Sequence, residues 1–162
     1  MSHGAKGPAR PTSVSSPVSI FVYGCGAGLL GVAAMTATEK IEQYFTGRPS
    51  SLVPGKTLSA LVGSGIPRDD APGMWTTNMA MHYGQGALAA VIRAFMSHHG
   101  VRGPFADFIF TGVRLSIDQT LENWTGVGAL PWTWPVNEQI IDILHKAVFA
   151  LVTGWFTDRW IR

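Results

Sequence analysis

Cysteine and charged residues are scarce in this chain. A single cysteine, Cys25, excludes an internal disulfide framework and a cysteine-based zinc site. Charged residues occupy 14% of the 162 positions, against roughly 25% in an ordinary soluble domain. The formal net charge is +2, from 12 basic and 10 acidic side chains. So little charge excludes a disordered or coiled-coil chain, and nucleic-acid binding lacks its electrostatic basis.

Apolar residues are concentrated in one long run near the amino terminus. Residues 18–38 read VSIFVYGCGAGLLGVAAMTAT, about 21 residues without a charge, which as a helix cover roughly 30 Å, the hydrocarbon thickness of a bilayer. A secretory signal peptide is the alternative, with residues 33–37 imitating a cleavage site, but its apolar region is shorter, about 7–15 residues. The run therefore favours a membrane span, in a helix that continues to Tyr44.

Three later segments have helical length but contain charges. They cover about residues 79–96, 104–121 and 138–161, and Gly- and Pro-rich stretches separate them. Residues 46–78 predict a long polar loop with one short helix near 57–62, and residues 1–17 predict a disordered polar tail. The sequence thus predicts an all-α fold, a four-helix transmembrane bundle over residues 18–162 with one long polar loop between helices 1 and 2.

The charged residues within these segments discriminate between a membrane-spanning bundle and a soluble one. Arg114 and Asp118 near the middle of a bilayer would cost about 2.5–3.5 kcal/mol each, so the third helix must turn them toward protein. Positions eleven apart in a helix share a face, and Asp107, Arg114 and Asp118 lie on one such face. The alternative is a single anchor followed by a soluble helical bundle with its polar stripes outward.

Small and aromatic residues favour the four-span interpretation. Gly24 and Gly28 fit the small-xxx-small pattern of close helix packing in lipid. The glycines also look like a dinucleotide-binding fingerprint, but that motif follows a β-strand and none is predicted here. The tryptophans fall at the ends of the predicted spans, as an aromatic belt does. Lys and Arg are slightly more numerous on the side of the predicted spans that holds the chain termini, which by the positive-inside rule favours cytoplasmic termini.

Polar residues of the four predicted spans should converge near the end opposite the termini. The candidate acid/base groups are His82, Asp118, Asp142 and His145. The candidate ligand-binding residues are Glu39, Glu42, Gln85, Arg114, Glu122, Trp132 and Trp134. Asp118 is the nearest carboxylate to Arg114, one turn away, and Lys146 is expected to balance charge.

Outside this cluster, Arg93 and Asp107 lie toward the other end, where they are placed to pair. The run from Gly126 to Pro135 predicts either a tight interfacial hairpin or an aromatic lid over the cluster.

Several functions fit such a cluster. The leading hypothesis is a small membrane protein that holds a lipophilic ligand or a partner helix. The first alternative is a membrane enzyme of isomerase or cyclase type, in which His82 or His145 moves a proton and Asp118 or Asp142 orients it. The second alternative is a proton or ion relay. A purely structural hydrogen-bond network competes with all of these.

A metal site is a further alternative. The sequence predicts no cofactor and no metal, but any metal would take Glu39, Glu42, Asp118, Asp142 and His145. Di-iron bundles use a carboxylate-x-x-His motif twice, and Asp142-x-x-His145 occurs once. The expected partners are membrane lipids, a lipophilic small molecule and a second copy of this chain.

Four segments carry a resemblance. TEKIEQYFTGRPSSLVP (38–54), MHYGQGALAAVIR (81–93), RLSIDQTLENWTGVGALPWTWP (114–135) and DILHKAVFALVTG (142–154) resemble small multi-pass membrane proteins of uncharacterised function. The resemblance covers about residues 18 to 160 and implies a four-helix membrane fold. It implies no particular activity and no site residues.

Overall fold

The chain is entirely helical wherever its structure is described. A computed structural model describes residues 15–162, which form five α-helices, one 3₁₀ turn and no strand. The helices are α1 (Pro17–Thr46), α2 (Val53–Leu61), α3 (Met74–His98), α4 (Gly103–Trp124) and α5 (Val136–Trp160), and the 3₁₀ turn covers Pro131–Thr133. The all-α prediction is confirmed. Residues 1–14 of the predicted tail lie outside the described residues.

Local chemistry explains where α1 begins and ends. The Ser16 side chain accepts a hydrogen bond from the Ser19 N–H at 3.2 Å, and Pro17 occupies the first turn, where its missing N–H costs nothing. Gly47 ends the helix with a φ of 71°, a left-handed conformation that glycine adopts without strain. The helix therefore continues well past the apolar run, as predicted.

The remaining helix bounds differ modestly from the predicted segments. Helix α3 begins at Met74, earlier than the predicted residue 79, because Gly73 (φ 77°) provides the turn that starts it. The short helix of the long loop begins at Val53, with Pro54 in its first turn. Glycine and proline residues set these helix ends. The predicted bounds followed the apolar periodicity, which does not extend to these residues.

Helices α1, α3, α4 and α5 form the bundle. Helix α1 packs against α3 and α5, α4 packs against α5 and to a lesser extent α3, and α3 and α5 touch each other. The two ends of the described part of the chain meet: the Ser15 N–H donates to the Arg162 carbonyl at 3.1 Å, and the Arg162 N–H donates to Ser15 Oγ at 3.0 Å. The opposite end of the bundle therefore holds the α1–α3 loop and the α4–α5 connection.

Glycines allow α1 to approach its neighbours closely. A Cβ at Gly28 would lie 2.6 Å from Ala90 Cβ and 2.7 Å from the Gly86 carbonyl oxygen, and a Cβ at Gly24 would lie 2.9 Å from Val91 Cα. On the side of α5, a Cβ at Gly31 would lie 2.2 Å from Thr153 Oγ1. The predicted packing role of Gly24 and Gly28 is confirmed.

The interior contains polar groups, whereas large apolar side chains lie outside. Arg93, Ser97, Thr153 and Thr157 are fully buried. They accompany a small apolar core of Val32, Met35, Ala90, Phe110, Phe149 and Ala150. By contrast, Phe105 and Phe108 of α4 are 71% and 76% exposed, and every bundle helix carries further exposed large hydrophobic residues.

Two helices, α1 and α5, are long and apolar enough to cross a membrane, judged by length and composition. This is weak evidence for membrane association, because a soluble core helix or a signal sequence passes the same test. Helices α3 and α4 do not pass it, so the four-span topology stays a prediction.

Candidate functional site

One group of buried polar side chains lies near the chain ends and is centred on Arg93. The Arg93 Nε and Nη2 atoms lie 2.9 Å from Asp107 Oδ1. Its two Nη atoms donate to the two oxygens of Asp158 at 3.0 Å each, and Nη1 also donates to Ser97 Oγ at 2.7 Å. The predicted Arg93–Asp107 pair is confirmed, and the group joins α3, α4 and α5.

The carboxylate of Asp158 was not predicted as a partner of Arg93. It also accepts hydrogen bonds from Ser97 Oγ at 2.7 Å and from the Gly103 N–H at 2.8 Å. Arg102 then holds the end of α5, donating to the carbonyls of Asp158 and Ile161. All three guanidinium nitrogens of Arg93 have partners, so this group holds helices together and leaves no free donor.

A second group of polar side chains surrounds a cavity of about 540 Å³ at the opposite end of the bundle. The C-terminal parts of α1 and α4, the N-terminal parts of α3 and α5, and both connections at this end line it. Its ionisable lining residues are Glu39, Lys40, Arg48, His82, Arg114, Asp118, Glu122, Glu138, Asp142, His145 and Lys146. We call this space the cleft.

Asp118 is the centre of the ion pairs in the cleft. Its carboxylate pairs with Arg114 of its own helix and accepts a hydrogen bond from Gln85 Nε2 of α3 at 2.6 Å. Lys146 Nζ of α5 lies 3.4 Å from Asp118 Oδ2 and also pairs with Asp142. Both predicted roles, Asp118 as the partner of Arg114 and Lys146 as a balancing charge, are confirmed.

The two histidines of the cleft are not oriented by aspartate. His82 Nε2 lies 3.1 Å from Thr36 Oγ1 and 4.0 Å from Glu39 Oε2. His145 is 8% exposed and lines the cleft, and neither of its ring nitrogens is a fully buried atom without a partner. The expectation that Asp118 or Asp142 orients an imidazole therefore does not hold, because both carboxylates face cations instead.

Glu122 sits at the rim of the cleft, just after the third predicted span. Burial raises the pKa of its carboxyl to about 7, and the nearby Asp118 carboxylate adds to the effect. In the described part of the chain no Lys or Arg nitrogen lies within 4.0 Å of it. Glu122 therefore changes charge near neutral pH.

Two of the predicted ligand-binding residues do not line the cleft. Glu42 forms a salt bridge with Arg48, whose Nη2 lies 2.8 Å from Glu42 Oε2. Trp132 is 73% exposed, whereas Trp134 lines the cleft and donates from Nε1 to the Ala129 carbonyl at 3.0 Å. All the other predicted catalytic and ligand-binding residues line the cleft, namely Glu39, His82, Gln85, Arg114, Asp118, Glu122, Asp142 and His145.

The long polar loop also contributes to the cleft, which the sequence did not indicate. Asn78 of α3 accepts a hydrogen bond from the Gly55 N–H at 2.8 Å and donates to the Ser51 carbonyl at 3.1 Å. These bonds hold residues 50–54 against the opening. The sequence feature that could have indicated this contact is Asn78, a polar residue near the start of α3 that can bond to the backbone of the loop.

The carboxylates and imidazoles of residues 15–162 do not form a metal site. No group of three or more His, Cys, Asp or Glu side chains there is arranged to hold a metal ion. The carboxylates proposed as metal ligands are divided between salt bridges with Arg48, Arg114 and Lys146 and separate positions around the cleft.

Comparison with known proteins adds no family: no family model, curated protein or solved structure matches this chain. The resemblance to small multi-pass membrane proteins therefore stays a prediction.

Proposed function

We propose that the protein is a four-span integral membrane protein that holds the polar end of a lipophilic ligand in the cleft. In this proposal α1, α3, α4 and α5 cross the bilayer, and α2 lies with the long loop at the surface that contains the cleft. The single observation that carries the proposal is the location of the cleft, an amphipathic cavity between helices whose outer faces are apolar.

The burial of charge supports spans in α3 and α4. Their composition is too polar for a lone span because of Arg93, Asp107, Arg114 and Asp118, but all four side chains are buried and paired. Their charge is therefore shielded from lipid by the neighbouring helices. The 18 residues of the predicted span in α4, 104–121, lie within the range of about 17–25 residues that crosses a bilayer, and Glu122 lies just beyond them at the surface that contains the cleft.

The outer surface supports the same topology. Phe105 and Phe108 on α4, Leu88 on α3 and Leu144 on α5 are between 58% and 76% exposed. Exposed apolar faces of this kind mark surfaces that contact a partner or a membrane. A bilayer would cover them without a further partner.

The lining of the cleft fits an amphiphile. Besides its ionisable groups, the cleft is lined by apolar residues from α1, α3, α5 and the long loop, namely Met35, Leu52, Trp75, Met79 and Ile141. Binding sites for small molecules combine an apolar lining with a few convergent polar groups. A volume of about 540 Å³ accommodates a headgroup and part of a chain.

Native mass spectrometry of the protein purified in mild detergent tests this proposal. We expect a bound lipophilic molecule on the wild-type protein and its loss from His82→Ala and His145→Ala. Trp132→Ala is the matched control, since Trp132 is exposed outside the cleft, and it should retain the ligand. A wild-type protein that carries no lipophilic molecule, or equal retention by all variants, would contradict the proposal.

An acid/base enzyme is the second candidate, and two observations favour it. The pKa of Glu122 lies near 7, and His145 lines the same cleft, so both groups can exchange protons with a ligand there. An enzyme requires that Glu122→Gln or His145→Gln bind the co-purifying molecule but no longer convert it. Retained conversion in both variants would exclude this candidate.

A further inference from the structure

We propose that the ligand of the cleft is a lipophilic cation, an amphiphile whose head is a protonated amine. This inference rests on the proposed function, since it names the chemical class of the molecule held in the cleft. It is carried by the groups around the cleft that remain without partners after its internal ion pairs have formed.

The cations deep in the cleft are neutralised by neighbours. Arg114 and Lys146 face Asp118 and Asp142, two positive charges against two negative ones. The Arg114 guanidinium also lies 5.5 Å from the centroid of the Phe149 ring, a residue buried in the core. These four groups attract neither a cation nor an anion strongly.

The cations at the rim are also engaged. Arg48 pairs with Glu42, and Lys40 donates to Gln43 Oε1 at 3.0 Å and to Ser50 Oγ at 2.7 Å. Lys40 and Glu138 line the cleft but are both exposed, and water screens exposed charges. Lys40 has no carboxylate partner but is exposed to water, whereas the other Lys and Arg side chains of the cleft each pair with a carboxylate.

The groups of the cleft that remain without a cationic partner are hydrogen-bond acceptors. Among the described residues, Glu39 and Glu122 have no Lys or Arg within salt-bridge distance. His82 Nε2 lies 4.0 Å from Glu39, and His145 lines the same cleft without facing a cation in a salt bridge. Two carboxylates and an imidazole can accept hydrogen bonds from an ammonium group. A protonated amine supplies both the positive charge and the donors that these groups lack.

Aromatic residues of the lining favour the same head. Trp75 and Trp134 line the cleft, and the electron-rich face of an indole attracts cations. The free Nε–H of buried Arg114 is the one feature that would favour an acceptor head, so the test includes an anionic amphiphile.

Glu122 makes amine binding depend on pH. Its charge is influenced by Asp118 and Arg114 of its own helix and by Asp142 and Lys146 of α5, while His82 of α3 and Glu39 of α1 line the same cleft. With the pKa of Glu122 at about 7, its carboxyl is largely neutral at pH 6 and largely ionised at pH 8. An alkylamine stays protonated over this range, so its affinity should rise with pH.

The experiment uses the full chain in lipid nanodiscs. Binding of dodecylamine, dodecanoic acid and dodecanol is measured by quenching of tryptophan fluorescence at pH 6 and pH 8. We expect dodecylamine to bind most tightly, with an affinity about tenfold higher at pH 8. Glu122→Gln should weaken amine binding about tenfold at pH 8 and abolish the pH dependence, and Glu39→Gln should weaken binding at both pH values.

Asp70→Asn is the matched control, because it removes one acidic charge from an exposed position in the α2–α3 loop outside the cleft. It should leave amine binding unchanged. Aminolipids and free alkylamines share this head chemistry. Competition with dodecylamine by vesicles containing phosphatidylethanolamine would identify an aminolipid as the source, and its absence a free alkylamine.

Each result has a distinct meaning. Tighter binding of dodecanoic acid or dodecanol, or amine binding that both glutamine variants leave unchanged, would overturn the cationic inference while a lipophilic site remains. If none of the three probes binds, the proposed function itself fails.

Discussion

Arg93 and Glu122 illustrate two outcomes for an ionisable residue inside this bundle. Arg93 is fully buried, and Asp107, Asp158 and Ser97 engage its guanidinium, so its charge is compensated by fixed partners. Glu122 has no such cation, and its pKa rises until the neutral form is common at pH 7. Buried charges that are paired serve packing, whereas a buried group without a partner remains available to a ligand.

Glu122 should make the stability of the protein depend on pH. The pKa of its carboxyl is raised from 4.5 to about 7 in the folded state, so folding favours the neutral form. Its contribution is complete below about pH 4.5 and is lost as pH rises through 7. Between pH 5 and pH 8 the melting temperature of the wild type in detergent should therefore decrease relative to that of Glu122→Gln, which lacks this titration.

Glu138→Gln serves as the control for this prediction, because Glu138 is an exposed carboxylate on the same rim. It should keep the wild-type pH profile. Identical profiles for wild type and Glu122→Gln would show that the Glu122 carboxyl is not the group responsible.

At the scale of elements, close packing of α1 on α3 depends on glycine. A methyl group at Gly28 would overlap Ala90 Cβ and the backbone of Gly86 and Ala87, and backbone atoms cannot move aside cheaply. Gly84, in α3, has no atom within 4 Å of the position of its missing Cβ. Alanine substitutions at these two positions therefore distinguish the effect of helix packing from that of helix propensity.

We expect Gly28→Ala to lower the free energy of unfolding by about 1–3 kcal/mol, since overpacking forces the helices apart. Gly84→Ala should leave it unchanged or raise it by up to about 1 kcal/mol, because alanine favours the helix. Denaturant titration of the detergent-solubilised protein followed by circular dichroism measures both. A smaller loss for Gly28→Ala than for Gly84→Ala would contradict the packing described for α1.

Helix positions and the cleft were predictable from the sequence to different degrees. Apolar runs located every long helix, and alternation of the helices placed Glu39, His82, Asp118 and Asp142 at one end, where the structure has them. Contacts between specific side chains were less predictable, because they depend on how each helix rotates about its axis. Asp158 as a partner of Arg93, and the separation of aspartates from histidines, were missed for this reason.

At the scale of the whole molecule, several charged side chains are buried inside the bundle, while many large apolar side chains are exposed on its surface. Two helices are apolar enough to cross a membrane, and the proposal adds α3 and α4 because their charges are buried in ion pairs. The proposal thus depends on lipid, and not water, surrounding residues such as Phe105 and Phe108.

Accessibility of single cysteines tests this topology most directly. Cys25→Ala provides a background without cysteine in which Ser64, Val101 or Thr133 is replaced by cysteine, one position in each connection between consecutive bundle helices. Sealed vesicles are treated with a membrane-impermeant maleimide before and after permeabilisation. Four spans predict that positions 64 and 133 react from one side and position 101 from the other. Reaction of all three from the same side would contradict the four-span account, since a single anchor, or spans in α1 and α5 alone, gives that result.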